Sequence, residues 1–168
     1  FFTRRCCNMH DETIYQTIHD LLKEKGVDYK EIEHEPVRTS MEAALARGDD
    51  EIGMGGKALV LKVTEDFHLF VLSGALKIDQ AAIKEHFRVK KFRFASHSEV
   101  HGLTGLVVGT IPPFGRPILN LDLFADPSIL NKKKIGFNAA SLTHSIVMSV
   151  DDWVNITHPT VFRFASPP

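Results

Sequence analysis

The sequence has few cysteines, no long apolar run and no excess of charge of either sign. Its two cysteines, Cys6 and Cys7, are adjacent, so they supply neither a disulfide framework nor a spaced pair of metal ligands. No stretch approaches the roughly 20 apolar residues of a membrane-spanning helix. A formal net charge of -1 excludes a global field that would draw the protein onto nucleic acid or lipid. We therefore expect a cytoplasmic protein with no membrane or DNA partner.

The length of 168 residues and the 43% of hydrophobic side chains are enough for one buried core. The first regular pattern begins at Met9. We expect residues 9–168 to form a single domain, and residues 1–8 to be an N-terminal extension or a cloning remnant.

Local patterns predict a series of short helices and strands, with hairpins dominating the middle of the chain. The first third of the chain predicts a helix over 11–25, a strand in DYKEIEH and a helix opened by the capping-box pair Thr39 and Glu42. The middle predicts paired strands over 57–63 and 67–73, a helix from Asp79 through Phe87, a strand over 89–95 and a helical turn with the capping box of Ser96 and Glu99. The last part predicts a strand around PILNLDL, a helical turn at Asp126-Pro127, strands at KIGFN and THSIVMS, and a helix capped by Asp151 or Asp152. This order predicts an α+β fold with a mixed, largely antiparallel sheet flanked by helices.

Lys57 stands at the first position of the strand expected over 57–63. Because alternate side chains of a strand share a face, Lys57 shares an apolar face with Leu59 and Leu61. The lysine either extends past the sheet edge with its stem on apolar surface, or it holds an ammonium at the rim of a pocket to meet a carboxylate, carbonyl or phosphate.

Ser73 ends the following strand, immediately before Gly74. Its hydroxyl could lie near Lys57, or the serine could simply begin a turn. Because no Gly-x-Ser-x-Gly elbow surrounds any serine in the sequence, an α/β-hydrolase nucleophile is not supported.

Two adjacent prolines stiffen the segment GLVVGTIPPFG, residues 105–115. Proline fixes φ and removes an N–H donor, whereas glycine can adopt conformations closed to other residues. The remaining N–H groups, such as those of Gly109 and Thr110, could therefore point at a ligand oxygen, as an oxyanion site requires. The alternative is a purely structural proline corner.

The histidines do not form an obvious metal site. His97 and His101 have the four-residue spacing of two metal ligands on a helix, but no third ligand stands at a helpful spacing. We predict no metal and no other cofactor. His34 ends a strand before a proline turn, so it could line a cleft or lie on the surface.

Basic and aromatic residues alternate in RVKKFRF, residues 88–94. Alternation places Lys91 and Arg93 on one face of a strand and the phenylalanines on the other. This pattern fits a half-buried strand with a solvated basic face. The alternative is a local patch, including Lys90, that contacts the phosphates of an RNA backbone.

Three separated motifs carry a resemblance to a known family. The motifs GGKALVLKV, KKFRFASHSEVHGLTGLVVGTIPPFG and IGFNAASLTHSIVMSVDD occur in this order and at these separations. Together they resemble the YbaK and prolyl-tRNA synthetase-associated editing domains, which deacylate mischarged tRNA. The similarity runs from about Tyr29 to Trp153 and includes HEPVRTSMEAA. The combination of GGKALVLKV, GTIPPFG and FNA resembles in particular the free-standing members that are similar to YeaK.

The resemblance implies a trans-editing deacylase that hydrolyses the ester of a mischarged aminoacyl-tRNA carrying Ala, Ser, Thr or Cys, with an aminoacyl-tRNA synthetase as a possible partner. It implies no side-chain nucleophile, because the terminal ribose hydroxyl of the substrate is expected to assist. The expected catalytic residues are Lys57 and Gly109, the expected substrate-binding residues are His34, Ser73, Thr110, Ile111, Pro112, Pro113 and Asn138, and the expected RNA-binding residues are Lys90, Lys91 and Arg93. Ala139-Ala140 stands where relatives often have Ala-Gly or Gly-Gly, and this departure leaves the accepted amino acid open.

Two other functions compete with this interpretation. One is a noncatalytic module that binds tRNA ends or a synthetase without turnover. The other is a metal-assisted hydrolase that uses His97 and His101.

Overall fold

The computed structural model describes residues 12–36 and 55–168. The helix expected from Thr39 and Glu42 lies outside these residues. In chain order the described elements are α1 (Glu12–Glu24), β1 (Tyr29–Glu33), β2 (Gly56–Val63), β3 (Asp66–Ser73), β4 (Lys77–Ile78), α2 (Gln80–Phe87), β5 (Arg93–Phe94), α3 (His97–Thr104), β6 (Asp122–Ala125), α4 (Pro127–Leu130), β7 (Lys134–Asn138), β8 (His144–Ser149), α5 (Val150–Thr157), β9 (Thr160–Val161) and β10 (Ala165–Ser166).

The strands β2 and β3 form the hairpin at the centre of a five-stranded sheet with the order β5-β2-β3-β6-β9. They pair antiparallel from Gly56 opposite Ser73 to Val63 opposite Asp66. The hairpin predicted from the two apolar runs is confirmed. Strand β6 joins β3 in parallel and β9 joins β6 in parallel, so the sheet is mixed.

The two faces of this sheet pack on different cores. On one face, Val60 of β2 joins a large core that contains Trp153 and Phe114. On the other face, Leu61 of β2 joins an aromatic core that contains Phe70 and Phe124. The alternation along β2 is therefore the one that the sequence predicts, and it assigns Lys57 to the face of the aromatic core.

A second sheet, with the order β1-β8-β7, is antiparallel throughout. A parallel bridge between Gly55 and Gly136 joins its edge strand β7 to the start of β2. A Cβ atom on Gly56 would lie 2.8 Å from Cδ1 of Ile135, so the glycine permits this close approach. The contact brings the amino end of β2 to the edge of the second sheet. A short third sheet pairs β4 with β10.

Helix α1 is amphipathic and covers the large core. Ile18 and Leu22 are fully buried on its inner face. The helix closes at Gly26, which adopts a φ of 64° and donates its N–H to the carbonyl of Lys23. Of the helices in the described ranges, none combines the length and the apolar character of a membrane-spanning segment.

The strand predicted over 89–95 is shorter than expected. Only Arg93 and Phe94 pair with β2, opposite Lys62 and Leu61. The residues before them close helix α2, because Arg88 adopts a left-handed φ of 55° and donates its N–H to carbonyls of the last helical turn. The N–H groups of Arg88 and Val89 are thus bonded to carbonyls of α2 and do not pair with β2.

Two other boundaries differ from the sequence prediction. The strand expected around PILNLDL begins only at Asp122, because the preceding backbone folds on itself, with Leu119 donating its N–H to the carbonyl of Gly115. The cap of α5 is Ser149, whose side chain accepts the N–H of Asp152. Asp151 and Asp152, which were expected to cap, lie in the first helical turn, where carboxylates favour the helix dipole.

The predicted fold class is confirmed: helices flank mixed and largely antiparallel sheets in an α+β arrangement. The caps predicted at Asp79, at Ser96 with Glu99, and at Asp126 are also confirmed. These signals hold because each cap depends only on neighbouring backbone groups.

Asp126, which follows β6 of the five-stranded sheet, binds the backbone of the C-terminal segment through hydrogen bonds. Asp126 is 3% exposed, and one of its carboxylate oxygens accepts the N–H groups of Phe164 and Ala165 at 2.7 and 2.9 Å. We expect Asp126→Ala to lower the free energy of unfolding by about 3 kcal/mol, because it leaves two poorly solvated N–H groups without their charged acceptor.

Urea unfolding of Asp126→Ala beside Asp151→Ala checks this prediction. Asp151 is an exposed carboxylate in the first turn of α5, so its loss should cost only about 0.5 kcal/mol. Equal losses in the two variants would contradict the role assigned to Asp126.

Candidate active site

Lys57 presents a half-buried ammonium at the start of β2. Its Nζ donates a hydrogen bond of 2.6 Å to the carbonyl of Leu76, and burial lowers the pKa of the lysine from its ordinary value. An ammonium has three N–H donors, and no carboxylate among the described residues pairs with this one. Two donors of a partly desolvated cation are therefore free to meet an anionic or carbonyl oxygen.

The turn at residues 107–110 fixes the Gly109 peptide. Gly109 adopts a φ of 95°, and its carbonyl accepts a 2.6 Å hydrogen bond from Nδ2 of Asn138. The N–H of Thr110, which was expected to be an oxyanion donor, instead donates to the carbonyl of Val107 inside the turn. Within the described part of the chain the N–H of Gly109 has no acceptor, and the residue is exposed. Gly109 is thus the available donor of the loop.

The residues after Thr110 brace this turn from inside the protein. Ile111, Pro112 and Pro113 are buried, and Ile111 belongs to the large core. The carbonyl of Pro113 accepts a 2.8 Å hydrogen bond from the indole N–H of Trp153, which is fully buried. The proline pair is therefore a buried structural corner that supports an exposed turn. A structural corner and a loop that presents an N–H donor are thus compatible interpretations of this segment.

Lys57 and Asn138 project from the same side of the junction between the two sheets. Gly55 and Gly136 form a parallel bridge. Lys57 follows Gly55 by two residues, and Asn138 follows Gly136 by two residues. Since parallel partners point to one face and side chains alternate along a strand, both project to the face of the bridge residues. Asn138 in turn contacts Gly109. The ammonium and the braced loop therefore flank one junction.

A chain of polar groups extends from Asn138 toward β1. Oγ of Ser145 donates to Oδ1 of Asn138 at 3.1 Å, and Nε2 of His34 lies 2.7 Å from the same Oγ. The other ring nitrogen of His34 lies 2.8 Å from the carbonyl of Glu35. His34, expected to bind substrate, thus has both nitrogens in contact with protein atoms. Ser145 is absent from the predicted site, because only the register of β7 and β8 sets it opposite Asn138.

The structure does not bring Ser73 to Lys57. Ser73 follows the alternation of β3 onto the face of Val71, whereas Leu72, which pairs with Lys57, joins the aromatic core. Its Oγ lies 3.4 Å from the N–H of Ala75, in the turn after β3. The hydroxyl lies on the opposite face of the sheet from the ammonium.

His97 and His101 are both exposed on α3. Across residues 12–36 and 55–168, no three His, Cys, Asp or Glu side chains are grouped so that they could hold a metal ion.

Comparison with known proteins shows the family of this chain. The family model described as the aminoacyl-tRNA editing domain matches residues 34–156, which is most of the chain. The chain belongs to this family. The resemblance carried by the three sequence motifs is therefore confirmed.

Relatives of this editing domain include free-standing and synthetase-borne proteins. The multifunctional Ser/Thr-tRNA deacylase ProXp-y of Escherichia coli (strain K12) is 33% identical over 156 residues, which cover 89% of this chain and 92% of that protein. A proline–tRNA ligase of Macrococcus caseolyticus (strain JCSC5402) is 27% identical over 136 residues, 78% of this chain but 23% of the ligase.

Solved structures share the fold. A candidate trans-editing enzyme for prolyl-tRNA synthetase superposes with a TM-score of 0.76 at 23% identity, covering 93% of this chain and 99% of its own. A hypothetical protein superposes with a TM-score of 0.77 at 25% identity, covering 89% and 99%.

The alanine pair of this editing domain lies at the end of β7. Ala139 and Ala140 are buried, and Ala140 adopts a left-handed φ of 57°. A non-glycine residue in this conformation costs about 1 kcal/mol, so the backbone here favours the glycine that the resemblance led us to expect.

The basic residues near β5 are not equivalent in the editing domain. Lys90 and Lys91 are exposed. Arg93 instead makes a bidentate ion pair with Glu99, with nitrogen–oxygen distances of 2.6 and 2.9 Å. This ion pair lowers the pKa of the Glu99 carboxyl to about 2. The Arg93 charge is therefore largely balanced, whereas the two lysines offer their full charge to an anion.

Two exposed valines also flank the site. Val107 and Val108 are 43% and 47% exposed, directly before Gly109. Sequence analysis missed them because an apolar run of this kind usually indicates a buried strand.

Proposed function

We propose that this editing domain is a trans-acting deacylase that hydrolyses the ester between a small amino acid and the 3′ end of a mischarged tRNA. Serine and threonine are the first candidates, with alanine and cysteine next. The observation that carries the proposal is the alignment with a free-standing Ser/Thr-tRNA deacylase over 92% of its length. The Gly109 turn and the Lys57 ammonium supply groups suited to this chemistry.

In the proposed reaction, water adds to the ester carbonyl carbon, and negative charge develops on the carbonyl oxygen. The N–H of Gly109 donates to that oxygen, as a fixed oxyanion donor should. The bond to the ribose oxygen then breaks, and the ribose oxygen takes up the proton that the attacking water gives up. The products are free amino acid and deacylated tRNA, and no side-chain nucleophile is needed.

Lys57 is proposed to bind the tRNA terminus by its charge. Two unused N–H donors of its ammonium suit the terminal phosphate or the carbonyl of the aminoacyl group. The exposed side chains of Val107 and Val108 suit the face of an unpaired terminal adenine, since single-stranded RNA is recognised through splayed bases.

A panel of preformed aminoacyl-tRNAs tests this function. Purified protein should release amino acid from Ser-tRNA and Thr-tRNA faster than buffer alone, and Phe-tRNA should serve as the large-side-chain control. A filter-binding assay on the same samples separates catalysis from the alternative, a noncatalytic tRNA-binding module. Retention of tRNA without release from any member of the panel would refute the deacylase and support that module.

A synthetase partner is proposed as a second participant. The segment of the Macrococcus relative that matches this chain lies within a proline–tRNA ligase. Repeating the panel with a purified prolyl-tRNA synthetase tests whether the rate depends on it.

We expect the double variant Lys90→Ala/Lys91→Ala to bind tRNA more weakly. Each lysine that neutralises a phosphate adds roughly 0.7 to 0.9 to the slope of log affinity against log salt. The slope should therefore fall by about 1.5 in the double variant, and by less in Arg93→Ala, whose guanidinium is paired with Glu99. Filter binding at several salt concentrations measures it.

The matched control is Lys23→Ala/Lys25→Ala, which removes two exposed lysines at the end of α1. If both double variants change the slope equally, the contact is diffuse and the patch has no special role.

A further inference from the structure

We propose that Ser145, supported by His34, is a positioning residue that holds the Gly109 peptide through Asn138. The inference rests on the proposed function, since it explains how that function keeps its oxyanion donor aligned. Three hydrogen bonds carry it, and they link the residue that follows β1 to β8, β7 and the turn at residues 107–110.

The direction of each hydrogen bond follows from the chemistry of its atoms. The carbonyl of Gly109 can only accept, so the amide NH₂ of Asn138 must face it, and Oδ1 of Asn138 must face Ser145. Ser145 has one hydroxyl hydrogen, and Oδ1 of Asn138 takes it. Because Nδ1 of His34 donates to the carbonyl of Glu35, Nε2 donates to the Ser145 oxygen when the ring carries a hydrogen on both nitrogens. The Gly109 carbonyl and the Ser145 hydroxyl hydrogen, on opposite sides of the amide, both specify the same orientation of Asn138.

The orientation of this amide matters because Asn138 is the only described side chain that contacts the Gly109 carbonyl. The carbonyl of Gly109 and the N–H of Thr110 belong to one peptide plane, which Asn138 holds at one end and Val107 at the other. With that plane fixed, the two backbone dihedral angles of Gly109, whose φ is 95°, set the direction of its own N–H. A rotated Asn138 amide would release the plane and misdirect the donor.

Burial makes this arrangement rigid. Ser145 is fully buried and stands in register between Asn138 on β7 and Ile32 on β1. In such a site a lost hydroxyl is poorly replaced by water, so an unpaired Oδ1 on Asn138 would favour other amide orientations. Ser145 is fully buried, so it acts through the groups that it bonds, and of these Asn138 is the one that contacts Gly109.

The test is a double-mutant cycle with a structural readout. Single-turnover deacylation should be about tenfold slower in Ser145→Ala, because a small misplacement of an aligned group lowers the rate, while KM stays close to wild type. In the Asn138→Ala background, Ser145→Ala should have no further effect on the rate. Additive losses in the cycle would overturn the proposal, because they would show that Ser145 acts by another route.

Ser141→Ala is the matched control, since Ser141 is an equally buried serine of the same hairpin that bonds Thr143 instead of Asn138. It should leave the rate unchanged even if it lowers stability. A rate loss equal to that of Ser145→Ala would overturn the proposal in favour of a general packing effect.

The Gly109 amide resonance in NMR spectra separates this proposal from the proposed function. Its shift should move in Ser145→Ala and Asn138→Ala and stay in place in Ser141→Ala. If the resonance moves as expected and the wild-type protein releases no amino acid, positioning stands and the deacylase function fails. An unmoved Gly109 resonance in Ser145→Ala would overturn the positioning role whatever the activity.

Discussion

Deacylation by Lys57→Ala is expected to be about 100- to 1,000-fold slower than by the wild-type protein. The ammonium is half-buried, it keeps two donors unused, and no carboxylate of the described residues neutralises it. Its loss removes the cation that would hold the reacting end of the tRNA. Single-turnover release of serine from preformed Ser-tRNA measures the effect, with the buffer rate subtracted.

Two variants sharpen this experiment. Lys62→Ala removes a lysine near the other end of β2, where the ammonium lies 5.5 Å from the ring of Phe67, and it should leave the rate nearly unchanged. Lys57→Arg keeps the charge but replaces a compact ammonium by a planar fork, so it should restore little activity. A Lys57→Ala rate close to wild type would remove Lys57 from the mechanism.

Gly109→Ala is expected to lower the rate about 100-fold, which is the size of effect seen when an oxyanion donor is lost. The cause is the backbone: an added Cβ would meet Leu142 at an ordinary 3.5 Å, but alanine is strained at a φ of 95°. Strain of about 1 to 3 kcal/mol is relieved if the peptide rotates, and rotation moves the N–H away from the developing charge.

Gly102→Ala is the control for this prediction. Gly102 lies within helix α3, and an added Cβ would meet nothing within 4 Å. The substitution should keep full activity and raise the free energy of unfolding by about 1 kcal/mol. If Gly109→Ala and Gly102→Ala deacylate at the same rate, Gly109 is not the oxyanion donor.

Elements with local signals could be predicted from the sequence. The cap at Asp79, the capping box at Ser96 and the hairpin of β2 and β3 depend on neighbouring residues or on a two-residue turn. The strand at β5 could not be bounded in this way. Only Arg93 and Phe94 pair with β2, and the point where the chain reaches β2 after the helix end at Arg88 is set by tertiary packing.

The candidate site stays a prediction from the sequence. Lys57 and Gly109 were expected from their motifs; in the structure Gly109 accepts a hydrogen bond from Asn138, and Lys57 follows the Gly55–Gly136 bridge that joins β2 to the strand of Asn138. The use of the Thr110 N–H inside its own turn could not be predicted, because it depends on a backbone conformation. Ser145 matters only because the register of β7 and β8 sets it opposite Asn138, and strand register across a loop is not written in local sequence.

The hydrogen bond between Trp153 and Pro113 links the intrinsic fluorescence of the protein to the loop that carries Gly109. The sequence contains a single tryptophan, and its indole N–H is bonded to a carbonyl of the segment that braces Gly109. Intrinsic fluorescence therefore comes from one indole whose emission depends on that bond, without an attached dye. The spectrum of the unlabelled protein can follow the loop while tRNA arrives and leaves.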